Sequence, residues 1–109
     1  PRQIEAAARV GAAVVELHTG AYCDHVAAGE ALAADRELHG LRAGVALAHD
    51  LGLEVHAGHG LNYDTVTPFA AMPQVSELNI GHFLVSEAVF VGLTAAIARM
   101  RELMDAARA

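Results

Sequence analysis

Seven histidines stand in a chain of 109 residues, and four of them fall in or beside a recurring pentad. The pentad reads Glu, aliphatic, His or Asn, any residue, Gly. It occurs as Glu16-Leu17-His18-Thr19-Gly20, Glu54-Val55-His56-Ala57-Gly58 and Glu77-Leu78-Asn79-Ile80-Gly81. Two copies run on into a further histidine, Gly58-His59-Gly60 and Gly81-His82. An imidazole titrates near neutral pH and passes protons in both directions. A carboxylate beside it acts as a base or stabilises developing positive charge. Glycines let backbone amides close on an anion, and a helix N-terminus adds free N–H groups and a favourable dipole. The chemistry these types can do together is proton transfer on an anionic, phosphate-bearing substrate.

Each candidate has a plainer alternative. His59, between two glycines, has little local packing and stands at a loop tip; it is an acid–base group or a surface-loop histidine. His82 donates to phosphate or is a partly buried histidine satisfied by backbone. Glu16 shares a face with His18; it serves the chemistry or is an interior carboxylate paired to an arginine of another strand. Glu54 and Glu77 read as structural partners lower in the sheet, and His18 and His56 as hydrogen-bonded interior histidines. His25, His39 and His49 have no partner motif and are expected to face solvent. His18, His56, His59 and Glu16 are suitable first-row metal ligands. With no H-x-H, H-E-x-x-H or cysteine pair, no metal site is expected.

The elements that must position these groups alternate. Arg2 to Val10 reads as a helix stopped at Gly11, and Ala12 to His18 as a strand. Thr19 to Ala27 reads as a loop. A long helix is expected from Ala28 to Leu51, with Leu38, Leu41, Val45 and Ala48 on one stripe. Leu53 to Ala57 is the second strand, and Gly58 to Leu61 a loop. A short helix capped by Asn62 or Asp64 ends near Met72-Pro73. Ser76 to Ile80 is the third strand, Gly81 and His82 open the next loop or helix, and a last helix covers Ser86 to Ala107. Strand side chains alternate faces, so Glu, His or Asn, and Gly of each pentad share one side. Helix–strand alternation means a parallel sheet with helices outside.

A closed barrel of eight such units takes about 250 residues. The chain holds three strands, and a three-stranded parallel sheet leaves two unpaired edges, an association hazard. The expected fold is therefore α/β of the (β/α)8 TIM-barrel class, with residues 1–109 forming the C-terminal portion of a single barrel domain. Pro1 falls inside a helical stretch, so residues upstream are expected. In such barrels the active site lies at the carboxyl ends of the strands, and phosphate is held by the loops after the last two. Here those loops carry His59, Gly60, Gly81 and His82.

Bulk properties narrow the classes. The chain is 54% hydrophobic with two Tyr, three Phe and no Trp, so its core must be mostly Ala, Val and Leu. Seven Arg and no Lys leave no lysine Schiff base. A formal charge of −6, with scattered arginines, argues against nucleic acid as a partner. One cysteine, Cys23, fits a reducing compartment; no activating partner for it is evident. No signal peptide is visible, so a cytoplasmic protein is expected. Phe83 to Ala98 is apolar but shorter than the roughly 20 residues of a membrane span, and reads as a buried barrel helix.

Taken together, Glu16-Leu17-His18-Thr19-Gly20, the run from His56 to Tyr63 and the run from Glu77 to His82 resemble the pyridoxine 5′-phosphate synthase family. The resemblance covers essentially the whole chain. Its specific part is A-G-H-G-L followed by E-L-N-I-G-H, with His59 and Gly81 22 residues apart. The resemblance implies a (β/α)8 barrel and a homo-oligomer, commonly an octamer. It implies condensation of 1-deoxy-D-xylulose 5-phosphate with 3-amino-2-oxopropyl phosphate to pyridoxine 5′-phosphate, phosphate and water, in de novo vitamin B6 synthesis. No metal or organic cofactor is implied. The family's proton-donor histidine falls on His59, its transition-state-stabilising glutamate on Glu16, and its aminoketone-phosphate contacts on Gly60, Gly81 and His82. The family's other catalytic His and Glu, and its arginines for the second phosphate, lie on strands this chain lacks, so the chain by itself is expected to be inactive. The alternatives are another phosphate-binding barrel of the isomerase or aldolase kind, a metal-dependent hydrolase, or a non-catalytic half-barrel.

Overall fold

In the computed structural model, which describes all residues 1–109, three five-residue strands lie parallel: β1 (Val14–His18), β2 (Glu54–Gly58) and β3 (Val75–Asn79). β2 is central, so β1 and β3 each pair with β2 alone. Helices α1 (Arg2–Arg9), α2 (Gly20–Ala27) and α3 (Ala31–Asp50) flank and follow β1. The short α4 (Thr67–Ala70) precedes β3, and α5 (His82–Val91) and α6 (Leu93–Arg108) follow it. No helix is long and apolar enough to cross a membrane.

The core lies on one face of the sheet. Val55 and Ala57 of β2 and Val75 of β3 are about 1% exposed there, against Val45 and Ala48 of α3, Leu61, Phe69 and Met72. Leu38 and Leu41 pack against the same cluster, so the stripe expected along α3 does bury. The opposite face is covered by nothing in this chain. It carries two polar rungs, Glu16–His56–Glu77 and His18–Gly58–Asn79, set by the parallel register.

Several elements differ from the sequence expectation. Residues 19–27 are not a loop. Gly20 and Asp24 look like loop residues, yet α2 forms because a turn of helix buries Tyr22 and Cys23 against the core. Gly29, at φ 73°, then separates α2 from α3, which starts at Ala31 rather than Ala28. Asn62 caps no helix. Its Oδ1 accepts from the N–H of Asp64 (2.9 Å) and of Thr65 (3.1 Å), folding a turn ahead of the four-residue α4.

The expected last helix is two. α5 begins at His82, four residues before Ser86, and Gly92 breaks it from α6 at φ 86°, ψ 151°, a conformation open essentially to glycine. Of the apolar stretch Phe83 to Ala98 only Ala96 is buried. α5 has no buried residue, and Val85, Val89 and Phe90 are exposed, because no other element of the chain packs on that side. β3 carries a bulge: Val55 pairs with Val75 but His56 with Glu77, which turns both Ser76 and Glu77 to the open face. Of the pentad glycines only Gly58 lies within its strand; Gly20 starts α2 and Gly81 precedes α5.

Candidate active site

Because the strands are parallel, the segments after all three open at one end. Thr19 ties two of them together. It is fully buried; its N–H donates to Gly58 O (2.8 Å). Its hydroxyl lies 2.8 Å from Gly58 O and 2.6 Å from His59 O, one proton between two carbonyls. Cys23 Sγ adds a weaker contact to His59 O at 3.8 Å. These bonds pin a loop whose backbone is unusual. His59 has φ 86° and Gly60 φ 78°, and a left-handed non-glycine residue is uncommon outside constrained sites. Gly60 is also closely packed: a Cβ there would meet Cys23 Cβ at 3.2 Å, and its φ of 78° itself favours glycine.

With its backbone held, the His59 ring is exposed and stacks on His18, centroids 4.2 Å apart and planes 25° from parallel. The N–H of Gly20 donates to His18 Nδ1 (3.2 Å), so a neutral His18 carries its proton on Nε2. The interior hydrogen bonding expected of His18 is thus a bond to local backbone, and the side chain is exposed.

Glu16 reaches across the sheet. Its Oε2 accepts from Asn79 Nδ2 at 2.8 Å; its partner within this chain is an amide, not an arginine. On the rung of Glu16, His56 Nε2 reaches down to lie 2.8 Å from Glu54 Oε1, and Ser76 Oγ donates to the same oxygen at 3.1 Å. His56 Nδ1 is 3.8 Å from Glu77 Oε1. The hydrogen bonds from His56 and Ser76 hold the Glu54 carboxyl below its usual range. Glu54, His56 and Glu77 therefore form a hydrogen-bonded group beside and below Glu16.

Glu16, His59, Gly60, Gly81 and His82 all line one cleft of about 740 Å³, together with Asn79. α5 begins on its wall, and no side chain caps that helix, so its first-turn N–H groups are open to an anion. The His82 ring is exposed and makes no hydrogen bond within the chain, unlike a backbone-satisfied histidine. His39 and His49 face solvent; His25 is half-buried and 2.5 Å from Glu30. No three His, Cys, Asp or Glu side chains converge as a metal needs: His59 is turned onto His18 and His56 onto Glu54. Cys23 is buried, and that burial pushes its thiol pKa up, away from a nucleophilic thiolate.

Two site residues escaped the sequence reading of roles. Thr19 was only the free position of its pentad, and Asn79 a stand-in for histidine. The one available signal was position: Asn79 ends β3 level with Gly58, and Thr19 follows directly on the last residue of β1.

The family model described as pyridoxal phosphate biosynthesis protein PdxJ matches residues 1–106. A pyridoxine 5′-phosphate synthase of Cereibacter sphaeroides is 69% identical over 107 residues, covering 98% of this chain and 42% of that protein. Those of Jannaschia sp. (67% over 106 residues; 97% and 43%) and Caulobacter vibrioides (66% over 108 residues; 99% and 42%) are similar to nearly the same extent. The chain spans about two-fifths of the length of the curated relatives it matches.

Proposed function

The chain belongs to the pyridoxal phosphate biosynthesis protein PdxJ family, and from that premise we propose that it forms the C-terminal three strand–helix units of a (β/α)8 pyridoxine 5′-phosphate synthase. The whole enzyme condenses 1-deoxy-D-xylulose 5-phosphate with 3-amino-2-oxopropyl phosphate to pyridoxine 5′-phosphate, phosphate and water. It does so in the cytoplasm, as a homo-oligomer, without metal or organic cofactor. The carrying observation is that Glu16, His59, Gly60, Gly81 and His82 meet at one cleft at the carboxyl ends of parallel strands.

The residue types suit the steps. An amine adds to a ketone, water and phosphate leave, and a ring closes and aromatises; nearly every step moves a proton. His59, exposed at the cleft, delivers protons to departing oxygen. Glu16 stabilises positive charge that develops as the carbon–nitrogen bond forms. Gly60, Gly81, His82 and the open start of α5 hold the aminoketone phosphate with backbone N–H groups and one imidazole, a lysine-free anion site. The polar rung face of the sheet becomes the barrel interior, and the outer edges of β1 and β3 pair with strands outside this chain.

The test is an assay with both substrates on two proteins: this chain alone, and an enzyme of the relatives' length carrying it as its C-terminal part. Pyridoxine 5′-phosphate is expected from the second only. Product from the chain alone would refute the need for other strands, and none from the longer enzyme would refute the activity.

A further inference from the structure

The proposed roles leave His18 unused, although it is the one ring packed on His59. We infer that His18 is a positioning residue: a flat, tautomerically fixed shelf that holds the His59 ring at the cleft in the orientation its proton transfer requires. This rests on the proposed role of His59 as the acid.

Four observations carry it. His18 ends β1, so its backbone is fixed by the sheet. Its ring cannot turn freely, because Nδ1 accepts the Gly20 N–H at 3.2 Å. The space the two rings occupy exists only because residue 20 has no side chain: a Cβ there would lie 2.5 Å from His18 Cε1 and 2.9 Å from His59 Cδ2. The next residue, Thr19, holds the His59 carbonyl at 2.6 Å. One three-residue segment thus fixes His59 twice, its backbone through Thr19 and its ring through His18. His59 needs both, since its ring makes no hydrogen bond of its own within the chain and sits on a glycine-flanked, left-handed backbone. A reacting group displaced by about 1 Å can cost ~10²-fold in rate.

Two measurements test this. In the chain itself, NMR should place the His59 ring protons upfield of an exposed histidine's, shifted by the His18 ring current. His18→Leu should return them, and His18→Phe should keep most of the shift. In the longer enzyme, His18→Leu should lower kcat on the order of 10²-fold with KM nearly unchanged, while His18→Phe, which keeps the stack, should recover kcat to within about tenfold of wild type. His59 protons at ordinary positions, wild-type kcat in His18→Leu, or His18→Phe as impaired as His18→Leu would each overturn the inference. A wild-type longer enzyme with no condensation activity would instead sink the proposed function, and the NMR result would still decide whether His18 holds the ring.

Discussion

Glu16 and Asn79, 63 positions apart in sequence, share a 2.8 Å hydrogen bond that crosses directly over Gly58 of the strand between them. Gly58 is level with Asn79 and one rung above Glu16. A Cβ on Gly58 would lie 2.7 Å from the backbone oxygen of Asn79 and 2.8 Å from Glu16 Oε1. The glycine that looked like a strand terminator is the gap through which two outer strands join at the cleft.

Gly58→Ala is therefore expected to be costly in two ways. The Asn79 backbone oxygen cannot swing aside as a side-chain tip can, so the strand pairing must shift, at about 1–3 kcal/mol. The Glu16 carboxylate must also move. Urea denaturation should show the stability loss, and kcat of the longer enzyme should fall with it. Asn79→Leu leaves Gly58 untouched and removes only the bond, so it should cost less stability, about 0.5–1.5 kcal/mol, while still releasing Glu16. Full stability in Gly58→Ala would mean that the sheet yields more readily than its geometry indicates.

Thr19→Val keeps volume and branching but removes the buried hydroxyl. Gly58 O retains the Thr19 N–H, whereas His59 O loses its 2.6 Å partner and keeps only the 3.8 Å Cys23 contact. An unsatisfied buried acceptor costs about 1–3 kcal/mol, and the part-buried His59 O should fall near the lower end of that range. Amide hydrogen exchange should locate the loss in residues 58–61, and Thr19→Ser should restore most of it.

How much of this was legible in the sequence depends on the range of the interaction. Alternation in β1 and β2 follows from a period of two, so the polar face carrying Glu16, His18, Glu54 and His56 could be read directly. The bulge at Ser76 could not: Val75-Ser76-Glu77 carries no glycine or other local mark, and the offset appears only when β3 pairs with β2. α2 was hidden because its helix depends on burying Tyr22 and Cys23 against residues such as Phe69, whose ring meets Tyr22 edge-on at 5.2 Å. The roles of Thr19 and Asn79 were equally invisible. Their partners lie 39 or more positions away, and no local pattern encodes such distances.

The group beside and below Glu16 makes a prediction about acid. The hydrogen bonds from His56 and Ser76 hold the Glu54 carboxyl below the ordinary carboxylate range. A carboxyl depressed in the folded state stabilises it above the unfolded pKa, and that contribution is lost as pH falls through the folded value. Wild-type chain should therefore lose stability below about pH 4.5, an increment that Glu54→Gln never had. Urea midpoints of the two proteins should differ near neutral pH and converge on acidification. Parallel curves across that range would show that the Glu54 bonds do not survive in solution.

His59 and His82 should fail in different ways if the proposed roles hold. His59→Asn keeps a polar side chain that tolerates left-handed backbone, so the φ 86° position survives and the loop stays pinned by Thr19. What goes is the proposed proton donor, a contribution of roughly 10²–10⁴-fold to the reaction step. The loss should fall on kcat, with KM for either substrate little changed. His82→Ala removes a donor at the start of α5 but leaves the helix N–H groups in place, so KM for the aminoketone phosphate should rise while kcat changes less. The argument turns on the contrast: His59 sits in a strained loop with its ring on His18, whereas His82 is an exposed first residue of a helix. Steady-state kinetics of the longer enzyme, varying each substrate in turn, would separate them. If both variants lost only kcat, the helix start would not be the phosphate site, and the anion would have to be sought against another part of the cleft.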